Sequence, residues 1–325
     1  MDFQIILLIG TFIISVIIAL ITIPILKKLK VGQIEREEGP RSHLSKQGTP
    51  TMGGVIILLS IIISAIVAFI YYSNKDTQIL KNMIPLLIIA VGTGLIGFID
   101  DFKKLILKDT KGLKPSYKML GLLIISVIYI IYIINFTNVN TEIFIPFIKT
   151  SITLPIWIYI PFTIFVILAT TNAVNLTDGV DGLGGSVSVI IIATLTVIGT
   201  IVKSQEIVMF GSIICGAILG FLIFNIHPAK VFMGDTGSLM LGGIIAAMAI
   251  YLKTPLVLLI IALIPILETL SVMIQVVYYK KTGKRIFKMA PLHHHFELSG
   301  WSENKVVSIF SIVTVILCVI GIYAV

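Results

Sequence analysis

Ten stretches of this chain are apolar for long enough to cross a lipid bilayer, and this restricts the available folds more than any motif does. A helix needs about 20 mainly apolar residues to span the hydrocarbon, where every backbone N–H and C=O must be satisfied within the protein. The runs lie at 3–26, 53–72, 84–99, 119–135, 152–171, 184–202, 207–224, 237–252, 255–278 and 306–325. Little of the 325 residues remains for a soluble unit, and the chain is 57% hydrophobic and only 12% charged. The expected fold is therefore an all-α polytopic membrane protein, with ten transmembrane helices forming one domain over 1–325. Met1-Asp2-Phe3-Gln4 precedes the first run without the positive charge or the small-residue cleavage site of a signal peptide, so that run reads as a retained helix.

The formal charge of +8 invites a nucleic-acid reading, yet no soluble basic region exists to carry one. Lys and Arg collect instead in alternate connections. Six follow the first run, six the third, one the seventh and six the ninth, against five on the other side, out of 24 in all. Basic residues of short loops stay cytoplasmic, so the odd-numbered connections are expected inside and both termini outside. Cys215 and Cys318 fall within apolar runs and read as buried small hydrophobes. The outer connections 73–83 and 136–151 carry no signal.

The chemistry-bearing residues fall in the same alternate connections. Asp100-Asp101 close the third run, where the negative end of a helix disfavours each acid by about 0.3–1 kcal/mol, so a cation is expected nearby. Lys103 and Lys104 alone could supply it. In Asn172-Ala-Val-Asn175-Leu-Thr-Asp178-Gly-Val-Asp181-Gly-Leu-Gly-Gly185 no basic residue pairs with the two aspartates. If that segment starts a helix, Asp178 and Asp181 share a face; otherwise an Asp caps the following helix and the glycines turn the chain. Phe232-Met-Gly-Asp235-Thr-Gly-Ser238 opens the eighth run and offers helix-start amides as a phosphate seat, with Asp235 able to hold a cation or to cap. Oxygen ligands of this kind suit Mg²⁺, and no zinc ligand set is present. Pro291-Leu-His293-His294-His295-Phe-Glu297 precedes the last run; its consecutive histidines point apart, so one or two could meet phosphate or base while another shapes the loop. Arg41-Ser-His43-Leu-Ser-Lys46-Gln-Gly-Thr-Pro-Thr51-Met-Gly-Gly54 could cover a phosphate or simply turn the chain. Five such segments on one membrane face imply a water-accessible cleft.

With GTPTMGG at 48–54, Asp100-Asp101, NLTDGVDGL at 175–183, FMGDTGS at 232–238 and APLHHHFE at 290–297 in this order, the sequence resembles the phospho-N-acetylmuramoyl-pentapeptide-transferase family, within the polyprenyl-phosphate N-acetylhexosamine-1-phosphate transferases. The resemblance covers nearly the whole chain. It implies a cytoplasmic active site in the bacterial plasma membrane, Mg²⁺, UDP-MurNAc-pentapeptide and undecaprenyl phosphate as substrates, lipid I and UMP as products, and a homodimer. Matched motif by motif, it implies Asp235 as metal ligand, Asp100 as base, Asp101 beside the pyrophosphate and Asp178 at the nucleotide. It further implies Phe232 near uracil and His293, His294 and His295 lining the nucleotide pocket, with Lys46, Thr51, Lys104, Asn175, Asp181 and Ser238 as further substrate contacts.

Transfer between two anions rewards charge neutralisation more than covalent chemistry. Direct attack by the lipid phosphate is expected, with Lys104 and His294 near the leaving UMP; a covalent aspartyl-phosphate on Asp101 or Asp235 is the rival. A phosphate monoester has its second pKa at about 6, so positioning could outweigh the base. A GlcNAc-1-phosphate transferase would share the aspartates and differ in the last cytoplasmic loop. A transporter would place acids at mid-span in repeated halves; no repeat is evident, and only Glu268, three residues after Pro265, lies deep in a run. That position allows either a broken helix near the site or a buried acid with a hydrogen-bond partner.

Overall fold

The computed structural model describes residues 3–29, 46, 48–105, 107, 112–137 and 139–325. Arg41 and His43 lie outside the described residues, as do Lys30, Arg36, Lys108 and Lys111 of the charge count. The helices are α1 (Phe3–Lys28), α2 (Gly54–Tyr72), α3 (Thr77–Leu105), α4 (Pro115–Phe136), α5 (Ile156–Thr177), α6 (Leu183–Ile201), α7 (Gln205–Asn225), α8 (Gly234–Tyr251), α9 (Leu258–Ile261), α10 (Leu263–Thr282), α11 (Leu292–Glu297) and α12 (Glu303–Ala324). Among the described residues ten of these are long and apolar enough to cross a membrane, all but the short α9 and α11.

Helices α7 and α8 form the centre and are buried on nearly every side. α1 and α6 pack on α7, and α3 and α5 on α8. Since lipid tails are as apolar as leucine, small residues and polar bridges bring such helices together. The α1–α7 seam shows both devices. Leu7, Thr11, Ser15, Ala19 and Ile23 recur every fourth residue on the buried side of α1, while Ile5, Ile9, Ile13, Ile17 and Ile21 face outward. A side chain at Gly216 or Gly220 would run into the α1 backbone. Ser15 Oγ donates to the Ala217 carbonyl at 2.8 Å, and Thr11 Oγ1 reaches Ser64 Oγ of α2 at 2.8 Å.

Three expectations are corrected. The chain is mostly rather than wholly helical: β1 (Glu142–Ile145) and β2 (Thr150–Thr153) form an antiparallel hairpin with Glu142 opposite Thr153 and Ile145 opposite Thr150. Its short run of β-branched and aromatic residues favours extended backbone. Lys253 Nζ at 2.8 Å from Glu142, and the Lys253 and Ala324 carbonyls accepting from Phe144 and Phe147, tie it to the ends of α8 and α12. Second, the 255–278 run is not one helix. A 3₁₀ turn at Pro255–Val257 leads into α9, and Ala262 at φ −103° separates α9 from α10. Pro265 lies in the first turn of α10, where its missing N–H costs little. Third, neither alternative for the 172–185 segment is found: Asp178 and Asp181 do not share a helical face, and the residue that caps the following helix is Gly182 rather than an Asp. α5 continues to Thr177, Asp178 is its C-cap, and α6 starts only after Gly182, whose φ of 78° suits glycine.

Candidate active site

The connections after α1, α3, α5, α7 and α10 meet at one end of the bundle, as their side-chain contacts show. At the centre are the C-terminal end of α3 and the start of α8. Asp101 Oδ1 accepts from the Asp235 backbone N–H at 3.1 Å, and Oδ2 accepts from the N–H and hydroxyl of Thr236 at 2.9 and 2.6 Å. The helix-start amides that the sequence offers to phosphate are thus engaged by Asp101, and the positive end of the α8 dipole offsets this carboxylate. Gly234 has a φ of 73°, and a side chain there would meet Asp101 Oδ2 and Thr51 Oγ1.

Asp100, one residue earlier, points to cations. Lys104 Nζ lies 2.7 Å from Asp100 Oδ2 and 2.9 Å from Asp235 Oδ2, and Lys118 Nζ lies 3.7 and 3.1 Å from the same two oxygens. The Leu113 N–H donates to Asp100 Oδ1 at 2.6 Å. Asn175 Nδ2 donates to Asp235 Oδ1 at 2.8 Å and to Ser238 Oγ at 2.7 Å. Two carboxylates and two ammonium groups therefore balance where the end of α3 meets the start of α8.

A second cluster joins four connections. Lys46 Nζ donates to Asp181 Oδ1 and Glu303 Oε2, both at 2.7 Å, and His227 Nδ1 lies 2.9 Å from Asp181 Oδ2, which also accepts from the Ala229 N–H at 3.1 Å. Burial works to raise the Asp181 carboxyl, but the hydrogen bond and charge of Lys46 outweigh it and hold it low. Burial likewise opposes the charge on Lys46, and its two carboxylate partners raise its pKa instead. Lys46 also sits 5.9 Å from the Phe232 ring centre. Asp178 lies between the clusters. Burial pushes its carboxyl up to about 7, and the charges of Asp235, Asp101 and Asp181 add to the effect.

The histidines divide as their consecutive positions require. His293 is buried, with Nδ1 3.2 Å from Glu268 Oε2, whereas His294 Nδ1 faces Glu297 Oε2 at 2.8 Å and His295 Nδ1 accepts from the Lys288 N–H at 3.1 Å. His295 thus shapes its own loop.

Asp100 and Asp235 form an oxygen-only set bridged by the Lys104 and Lys118 ammonium groups, a donor chemistry that fits a hard divalent ion and not zinc. Asp181, His227 and Glu303 also place three ligand atoms within 4.8 Å of one another and could hold a metal ion, with the single ammonium of Lys46 shared between the two carboxylates.

Comparison with known proteins gives the same grouping. Residues 83–253 match the model of glycosyl transferase family 4, and residues 46–58 match phospho-N-acetylmuramoyl-pentapeptide-transferase signature 1. The chain is 47% identical to the phospho-N-acetylmuramoyl-pentapeptide-transferase of Acetivibrio thermocellus, over 97% of this chain and 93% of that protein. It is 50% identical to that of Clostridium novyi over 95% and 93%, and 48% identical to that of Staphylococcus carnosus over 96% of each. This chain belongs to the phospho-N-acetylmuramoyl-pentapeptide-transferase family. As a member of that family it carries the signature segment at Lys46–Leu58, which holds both Lys46 of the second cluster and Thr51 beside Gly234.

Sequence reasoning assigned no role to Lys118, His227 or Glu303. Lys118 had a usable signal, since a lysine entering an apolar run is costly without a partner. His227 and Glu303 had none, because their partners come from distant connections.

Proposed function

We propose that this protein transfers phospho-N-acetylmuramoyl-pentapeptide from UDP-MurNAc-pentapeptide to undecaprenyl phosphate, yielding lipid I and UMP, on the cytoplasmic side of the bacterial plasma membrane. The observation that carries this reading is the Asp100–Asp235 pair bridged by Lys104 and Lys118 between α3 and α8, in a chain whose relatives bear that transferase name. Residues 1–325 act as one domain, with both termini outside and a second copy as partner.

Lys104 and Lys118 are placed to exchange carboxylate for phosphate oxygens, so anionic substrates meet positive charge without a large rearrangement. A lipid phosphate oxygen attacks the sugar-linked phosphorus, forming the new P–O bond as the bond to UMP breaks. Asp100 accepts the remaining proton where the attacking phosphate is monoanionic. Both oxygens of Asp101 are engaged in holding α8, which favours this direct path over a covalent intermediate on that residue. Asp235 would hold Mg²⁺, which when bound would neutralise pyrophosphate charge. Asn175 keeps Asp235 oriented, and Asp178, Phe232 and His293 would form the nucleotide side of the cleft.

The test is UMP release by purified protein with undecaprenyl phosphate and Mg²⁺, offering UDP-MurNAc-pentapeptide or UDP-GlcNAc. Turnover of the muramoyl donor alone, falling at least about 100-fold in Asp235→Ala, is the expected result. Turnover of UDP-GlcNAc alone assigns the chain to the sibling chemistry, and turnover of neither by folded protein removes the reading.

A further inference from the structure

We propose that Glu268 is a positioning residue for His293, fixing its ring proton on Nδ1 so that Nε2 is presented to the Asp178–Gly179 turn as a hydrogen-bond acceptor. The inference rests on the reading of that turn as the nucleotide side of the cleft. Glu268 lies in α10, six residues past the break at Ala262, and is 0% exposed. A carboxyl group so deep in an apolar helix is costly unless its oxygens are satisfied. Here both turn to one residue of α11. Oε1 accepts from the His293 backbone N–H at 3.2 Å, and Oε2 faces His293 Nδ1 at 3.2 Å. An ionised carboxylate only accepts, so the ring nitrogen facing it carries the hydrogen.

The other ring nitrogen is the informative one. Among the described residues, Nε2 of His293 is buried without a hydrogen-bond partner. A buried polar atom left unpaired costs about 1–3 kcal/mol, which a bound group that pairs with it would recover. The imidazole lies against Gly179, where any side chain would overlap Nε2. Only glycine between Asp178 and Val180 lets this buried edge of the ring lie directly against the turn. Glu268, His293 and Gly179 come from three elements and form one line from the membrane-embedded helix to the turn. A donor on the base or ribose of a nucleotide is the chemistry that an Nε2 acceptor selects.

Glu268→Gln tests the assignment with little change of volume. The amide can still accept from the His293 backbone N–H, but it turns an NH₂ toward Nδ1 and reverses the hydrogen bond. The KM for the UDP-linked donor is expected to rise about 10- to 100-fold with kcat within about threefold, as loss of an orienting partner weakens binding. Unchanged KM in folded Glu268→Gln overturns the proposal. Folding of the variant is not needed for the second readout. In ¹⁵N-histidine-labelled wild type at alkaline pH, with His293 assigned through His293→Gln, Nδ1 should be the protonated nitrogen and Nε2 the bare one; the opposite tautomer overturns it. Should wild type release UMP from neither donor, the functional reading fails, while the tautomer still decides the role of Glu268.

Discussion

Asp101 accepts three hydrogen bonds from the first turn of α8, so removing its side chain strands one buried and one part-buried amide at the helix that carries Asp235. Asp101→Ala is expected to lose about 1–2 kcal/mol of stability, the magnitude of a lost N-cap, while Asp100→Ala leaves that cap intact. Thermal unfolding in one detergent compares them; an Asp101→Ala midpoint equal to wild type would refute the capping role. Asp178 gives a different signature. Its carboxyl holds its proton up to about 7 when folded, against an ordinary 3.8. The unfolded chain releases that proton first, so this group's contribution to stability is full below the unfolded value and is lost as pH rises through about 7. Between about pH 4 and pH 8 wild type should lose more stability than Asp178→Asn, which has no proton to release. Equal slopes in denaturation series would sink the assignment. The residue types of the site were readable because acids beside membrane spans need a reason to be there. Their partners were not. Neighbouring Asp100 and Asp101 face different partners, and Lys118, His227 and Glu303 acquire theirs only when distant connections meet.

α2, α3 and α8 cross so closely around the site that glycine is required where they touch. A side chain at Gly97 of α3 would collide with the Asp235 carbonyl, and one at Gly54 of α2 would collide with the Gly237 backbone. These contacts fix the first turn of α8 against the end of α3, and with it the geometry of Asp235, Asp100 and Lys104. Gly97→Ala should therefore cost about 1–3 kcal/mol through overpacking and reduce UMP release by at least about tenfold, because displacement of about 1 Å can cost about 100-fold. Gly10→Ala is the control, since nothing lies within 4 Å of the position its side chain would take. If Gly97→Ala retains full activity, the crossing does not set the site. At this scale the ten long helices were legible, because apolar length alone demands them. Their ends were less so: the run at 84–99 becomes Thr77–Leu105, as buried pairing lets the helix continue through Asp100 and Lys104. The 142–153 hairpin was hidden because four-residue strands held by the Lys253 and Ala324 carbonyls leave little periodic trace.

The bundle has two chemically different ends. Lys46, Lys104, Lys118, Asp181, Asp235, His227 and Glu303 interlock at one, while the hairpin, Lys253 and the C-terminal end of α12 meet at the other. The basic excess of the first end is the physical reason to place it in the cytoplasm, since short basic loops resist translocation. Thiol accessibility tests this directly, because Cys215 and Cys318 are both buried and are the chain's only cysteines. Ser151→Cys lies on an exposed strand of the hairpin, and Thr282→Cys at the exposed end of α10. In right-side-out vesicles a membrane-impermeant maleimide should label the first variant at once and the second only after the vesicles are opened. The reverse pattern inverts the molecule and moves the site outside, away from a cytoplasmic nucleotide donor. Labelling of both without opening would place the hairpin and the end of α10 on one face, which ten crossings do not allow.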